Sequence, residues 1–247
     1  MSYSILVIPD IQAKPGQKLR HLEHLAKFIR KIKPDCIVQL GDLWDYPSLS
    51  SYDRKKKASE GKRLIADHNI GCKAARMITP RHNCRLIFTK GNHEYRVDLY
   101  ENDYPELEGA LPNCMSYMTS LGWEAYGFLD VVKVRGVSFS HFFPRASTGN
   151  VTASSQRNGA STALNMLKAN MTSCVAGHKQ GLDSALFNAP DGRKRGIIAG
   201  SFYTHDEKYL GPQGNNYWRG VLLLNNVKNG DFDLTEVSLE YLRKKYG

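Results

Sequence analysis

Three apolar runs that each stop at an acid or an amide constrain this chain more than any other feature. Ile5–Ile8 ends in Pro9-Asp10, residues 36–40 end in Gly41-Asp42, and residues 85–89 end in Lys90-Gly91-Asn92-His93-Glu94. A short apolar run bounded by turn residues is what a strand buried on both faces requires. Between the first two runs, Leu19, Leu22, Leu25, Ala26, Ile29 and Ile32 recur at helical spacing, so the order is strand, helix, strand. That order implies a parallel pair with a crossover, and ligands of such sheets bind beyond the carboxyl ends of the strands. The three runs therefore deliver Asp10, Asp42 and Asn92-His93 to one edge of one sheet.

The second half changes character. Residues 131–134, 137–139, 196–199, 221–224 and 232–237 read as short strands joined by Gly, Asn or Asp turns, with tight hairpins at Arg135-Gly136 and Asn229-Gly230-Asp231. A helix around 160–168 precedes a further strand at 174–176, which runs into Gly177-His178; residues 144–159, rich in Ser, Thr, Gly and Asn, read as a surface loop. The fold class expected is α/β: a mixed first sheet and a more antiparallel second sheet, stacked with helices outside as a four-layer αββα sandwich. With 247 residues, 41% of them apolar, one globular domain over residues 1–247 is expected.

The N-terminal apolar run is too short for a signal peptide and no stretch approaches a membrane span, so the expectation is a cytoplasmic protein without a membrane partner. The five cysteines lack metal spacing and read as free thiols of a reducing compartment. Lys plus Arg number 34 against 24 Asp plus Glu, a formal charge of +10, which favours a polyanionic partner.

Each polar residue at the strand ends has an ordinary explanation by itself, as a helix cap or a turn. Their joint placement does not, because acidic, amide and imidazole groups all follow strands where a ligand site would lie. Carboxylate oxygens plus imidazole nitrogens suit Mn²⁺, Fe or Zn²⁺, and a shared carboxylate lets two ions sit roughly 3.5–4 Å apart.

The ordered series Asp10-Ile11-Gln12, Gly41-Asp42-Leu43-Trp44-Asp45, Gly91-Asn92-His93-Glu94, Ser140-His141 and Gly177-His178-Lys179-Gln180 resembles the signature of calcineurin-like metallophosphoesterases. The resemblance spans residues 5–180, and Gly-Asn-His-Glu after a strand is its most specific part. It implies a two-sheet sandwich and two divalent metal ions that activate a water for in-line attack on phosphorus. It implies that Asp42 bridges both ions, that Asn92, His141 and His178 complete one of them, and that Asp10 binds the other. It places His93 beside the leaving-group oxygen, with Asp45 orienting it. Arg96, two residues after Glu94, is a candidate contact to a substrate phosphate, with an ordinary exposed arginine after a turn as the equal reading. Small enzymes of this kind occur in bacteria and phages.

Two departures concern one metal. The family usually has histidine where this chain has Gln12 and Gln180, and both positions serve the ion held by Asp10. Glutamine ligates through its carbonyl oxygen, so an occupied site becomes all-oxygen, favouring Mn²⁺, then Mg²⁺, over Zn²⁺; the alternative is a weakly held or absent ion. His205 is the nearby unassigned histidine, read as a surface residue.

Basic clusters at Arg54-Lys55-Lys56-Lys57, Lys62-Arg63, Arg193-Lys194-Arg195 and Arg243-Lys244-Lys245, with Tyr46, Tyr52, Tyr95, Tyr203 and Trp218 as stacking surfaces, suit a nucleic-acid substrate. A solvated helical face is the plainer reading of such a charge run. Three functions are therefore weighed: a phosphodiesterase or nuclease on DNA or RNA, a phosphomonoesterase on nucleotides or phosphoproteins, and an inactive binding module. Residues 41–47 lack the arginine and glycine that follow the second aspartate in protein phosphatases, which weakens the phosphoprotein case.

Overall fold

The computed structural model describes residues 2–53, 56–143, 162–207 and 210–247. Eleven strands form two sheets among these residues. The first has the order β11-β10-β1-β2-β3-β4 and the second β5-β6-β7-β9-β8. In the first sheet, β1 (Ile5–Ile8), β2 (Cys36–Gln39), β3 (Arg85–Thr89) and β4 (Glu124–Tyr126) run parallel. The hairpin β10 (Gly220–Lys228) and β11 (Asp231–Ser238) pairs antiparallel along the free edge of β1. In the second, β6 (Val137–Ser140), β7 (Cys174–Ala176) and β9 (Gly192–Ala199) are parallel, flanked by antiparallel β5 (Val132–Val134) and β8 (Leu182–Ala189).

Period-two alternation separates the layers. Ile5, Val7, Cys36, Val38, Leu222 and Leu224 face the second sheet, meeting Val134, Val137, Phe139, Val175 and Ile197. Leu6, Ile8, Ile37 and Phe88 face the other way, onto α1 (Arg20–Ile32), α2 (Leu64–Ile78), the helix Cys114–Ser120 and the C-terminal helix Leu239–Tyr246. The helix Ala163–Asn170 covers the outside of the second sheet through Ala163 and Met166 on Cys174, Ala176 and Ile198. The expected four-layer αββα sandwich is the observed one. A slip of one residue in β1 would turn both faces inside out.

Residues 221–224 and 232–237, read with the second-half strands, belong to the first sheet instead. The hairpins at Arg135-Gly136 and Asn229-Gly230 form as expected, with positive φ at all four residues. The loop expected at 144–159 lies outside the described residues, and the helix after it runs from Ala163 to Asn170. All five cysteines are free thiols. Among the described residues no helix is long and apolar enough to cross a membrane.

Candidate metal centre

The loops that follow β1, β2 and β3 of the first sheet and β6 and β7 of the second converge on one site. Asp42 lies at their centre. Its carbonyl accepts from the amides of Ile11 (3.0 Å) and Gln12 (2.7 Å), and its amide donates to Glu94 Oε2 at 2.9 Å. Glu94 is fully buried and also accepts from Gly91 N and Trp44 N, each at 2.9 Å, so one carboxylate ties the loops after β2 and β3 together. Burial, then the charge of Asp42, raises its pKa to about 7. The sequence marked Glu94 only as the end of a motif; its complete burial reveals it as a positioning residue.

Gln12, Asp42, Tyr46 and His178 have φ values of +46, +49, +45 and +66°. Non-glycine residues there store strain of order 1–3 kcal/mol each, and such strain concentrates at functional sites. The neighbouring glycines are steric requirements. A Cβ on Gly91 would overlap Asp42 Oδ1, and one on Gly177 would lie 2.7 Å from Asp10 Oδ1.

His141 is completely buried, and its Nδ1 lies 2.7 Å from the carbonyl oxygen of Leu40. A carbonyl has no proton to give, so Nδ1–H is the donor, and burial favours the neutral ring. Nε2 is then a bare lone pair. It points at Asn92 Oδ1 (2.9 Å) and Asp42 Oδ2 (3.5 Å), both acceptors. His178 Nδ1 approaches the same Asn92 oxygen at 2.8 Å, and candidate ligand atoms of Asp42, His141 and His178 all lie within 4.8 Å of one another. His141 Nε2, Asn92 Oδ1 and Asp42 Oδ2 are acceptors with no proton between them, an arrangement that fits a cation, and the Leu40 carbonyl behind His141 is the usual outer partner of a ligating imidazole.

Asp10 is buried; its Oδ1 accepts from His178 N at 3.0 Å, while Oδ2 has no partner among the described residues. Burial, then the charge of Asp42, drives its pKa well above the carboxylate range. Asp42 is also buried, yet the imidazoles of His141 and His93 hold its pKa down. An acceptor of this kind, crowded by a second carboxylate, is again what a cation would relieve. Gln12 is 4% exposed and adjoins Asp42 through its backbone; Gln180 is half-buried, its carbonyl accepting from Ser201 Oγ at 3.3 Å.

On the open side, His93 Nδ1 lies 2.8 Å from Asp45 Oδ1 and its Nε2 lies 3.7 Å from Asp42 Oδ2. The Nδ1 contact is ion-pair close, with the ring turned off the line of a good hydrogen bond. Burial opposes ionisation of Asp45, but His93, Lys14 and Arg96 outweigh it and hold the carboxyl below its usual range. Lys14 Nζ is 3.1 Å from Asp45 Oδ2, and Arg96 Nη1 donates to the Asp45 carbonyl at 2.7 Å. Lys14 also meets His205 Nε2 (2.9 Å) and Glu207 Oε1 (3.6 Å). His205 is thus a half-buried member of a polar network, and Lys14 and Glu207 join it unannounced by any local motif.

Tyr46 and Tyr203 are completely buried, so neither offers the stacking surface expected of it. Tyr52 is 71% exposed, and Tyr95 and Trp218 are partly exposed. Of the first basic cluster, Arg54 and Lys55 lie outside the described residues; Lys62 pairs with Asp53 at 2.7 Å. Arg193 and Lys194, on the β8–β9 hairpin, pair with Asp231 of β11 and Asp191, each at 2.8 Å.

The family model described as calcineurin-like phosphoesterase matches residues 3–200. The chain is 30% identical over 193 residues to the Gene 54 protein of Mycobacterium phage L5, a match covering 74% of this chain and 71% of that protein. Among solved structures, it is similar to an archaeal phosphodiesterase (TM-score 0.46, 10% identity, 95% of this chain and 99% of the other). It is similar too to a dimetal phosphatase from Danio rerio (TM-score 0.47, 11% identity, 96% of each chain).

Proposed function

Since the chain belongs to the calcineurin-like phosphoesterase family, whose members hydrolyse phosphoesters with divalent metals, we propose that it is a phosphodiesterase or nuclease acting on nucleic acid. The observation that carries this reading is the placement of His93, with one ring nitrogen on buried Asp45 and the other facing Asp42. A nucleoside alkoxide is a poor leaving group and needs a proton as the ester bond breaks. His93 Nε2 is placed to donate it, while Asp45, held by Lys14 and Arg96, steadies the ring and the charge on it. The charge of +10 supports a polyanionic substrate.

Asp42, Asn92, His141 and His178 would hold one ion, and Asp10 with Gln12, Gln180 and the shared Asp42 the other. Divalent ions held there would polarise the phosphoryl oxygens and lower the pKa of water. The all-oxygen character of the Asp10 side favours Mn²⁺. Arg96 acts in this reading by fixing Asp45, since its Nη1 is already committed to that loop. The backbone turns at Asp42 and His178 hold these side chains in place before substrate arrives.

The test compares single-stranded DNA and RNA, bis-p-nitrophenyl phosphate and p-nitrophenyl phosphate, with Mn²⁺ and after chelation. Cleavage of a polynucleotide and of the diester, lost on chelation, is expected. Hydrolysis confined to monoesters would transfer the site to the phosphatase reading.

A further inference from the structure

A cavity of about 360 Å³ opens beside the metal centre, lined by Lys90, Tyr95, Asp98, Met115, Phe128 and Leu129. It has no part in the chemistry assigned above, yet it adjoins it. Lys90 and Tyr95 bracket the Gly91-Asn92-His93-Glu94 segment. The Tyr95 and Phe128 rings stack with centroids 4.3 Å apart at 12°, Phe128 meets Phe142 edge-on at 5.6 Å, and Phe142 lies 4.8 Å from His178. Aromatic rings thus run unbroken from the cavity wall to an imidazole of the metal centre.

The charged part of the wall is an ion pair between Lys90 Nζ and Asp98 Oδ2, the lysine side chain 9% exposed and the aspartate 43%. A cationic donor and an anionic acceptor therefore stand side by side among aromatic and aliphatic surfaces. A nucleobase matches this set: it has a flat π-face to lie on a ring, and donors and acceptors alternating along its edge. A bare phosphate has no use for the rings, and an aliphatic group none for the ion pair. We propose that the cavity is a nucleobase subsite, which takes the base adjoining the scissile phosphate and so draws the substrate class toward nucleotides and single strands. This rests on the nucleic-acid reading above and deepens it.

The test measures inhibition of bis-p-nitrophenyl phosphate hydrolysis by nucleoside 5′-monophosphates and by ribose 5-phosphate, which carries the same phosphate without a base. The wild type should be inhibited by at least one nucleotide about tenfold more tightly, within the range of roughly 5–150-fold that stacking on one ring supplies. Phe128→Ala, which removes the stacking surface, and Met115→Trp, which fills the cavity, should each bring that ratio close to one. Reading a ratio within each variant cancels any general loss of active enzyme. Equal inhibition of the wild type by both ligands, or an undiminished ratio in both variants, would overturn the subsite. Failure of the parent reading looks different: a base-dependent ratio with no cleavage of DNA or RNA would keep the subsite and replace polynucleotide by mononucleotide as substrate.

Discussion

The two halves of the metal centre are built on opposite plans. Around Asn92, His141 and His178, the polar atoms already converge within hydrogen-bonding distance of one another, and the Leu40 carbonyl fixes the His141 tautomer. Asp10 instead has one oxygen without a partner among the described residues, and the proposed ligands beside it are two glutamines, at positions where the family resemblance implies imidazole. Neutral amide oxygens are weaker ligands than imidazole nitrogen for late transition metals but acceptable to harder ions. On the proposed assignment, a centre that keeps Asp42 between the two sides and His93 at the leaving group would hold its Asp10-side ion the more loosely.

The largest effect is expected where the halves join. Asp42→Asn should lose metal from both sides and reduce turnover to background for every leaving group, as read by metal stoichiometry and kcat/KM. Retention of the Asn92-side ion at full occupancy would show that the halves are separable and Asp42 is not shared. His93→Asn should keep near-normal metal yet lose about 10²–10⁴-fold in kcat, the range a positioned acid supplies. That loss should shrink for p-nitrophenolate and grow for an alkoxide; a deficit indifferent to leaving-group basicity would contradict the role of His93.

A third effect concerns the floor beneath the Asp10 side. Phe202 N donates to the Asp10 carbonyl at 2.7 Å, and the His21 ring of α1 packs on Phe202 with centroids 5.4 Å apart. Burial, with smaller contributions from His24 and His205, lowers the His21 pKa to about 4. The unfolded chain takes up that proton first, so the stability His21 contributes is complete above its unfolded value of 6.5 and is lost as pH falls toward 4. At pH 5 the loss is about 2 kcal/mol, at 1.36 kcal/mol per pH unit. Denaturant unfolding at pH 7 and pH 5 should show His21→Phe less acid-sensitive than the wild type by that amount; equal sensitivity would show that His21 carries no such share. The smallest expected effect sharpens the comparison most: Gln12→His with Gln180→His should shift activation several-fold from Mn²⁺ toward Zn²⁺. An unchanged metal profile would mean that neither glutamine is a ligand.

The site was readable in the sequence wherever it depends on the first residues beyond a strand. Buried parallel strands are mostly apolar, so Asp10, Asp42 and Asn92 stand out within three residues of the ends of β1, β2 and β3. Pairing across the chain was not readable. Lys14 meets His205 across 191 residues, and alternation in 221–224 cannot tell which sheet it will join. Strand β8 was missed because most of its side chains are half-buried or exposed, leaving no apolar pattern, and β4 because it is three residues long. The positive φ of Asp42 and His178 has no local signal either: at non-glycine residues, packing imposes it.

The most direct test of the asymmetry is Mn²⁺ binding by equilibrium dialysis with activity followed on the same samples. Two ions per chain in two affinity classes are expected, with hydrolysis rising as the weaker class fills and Asp10→Asn abolishing that class alone. Full activity at one equivalent of Mn²⁺, or two ions of equal affinity, would contradict it.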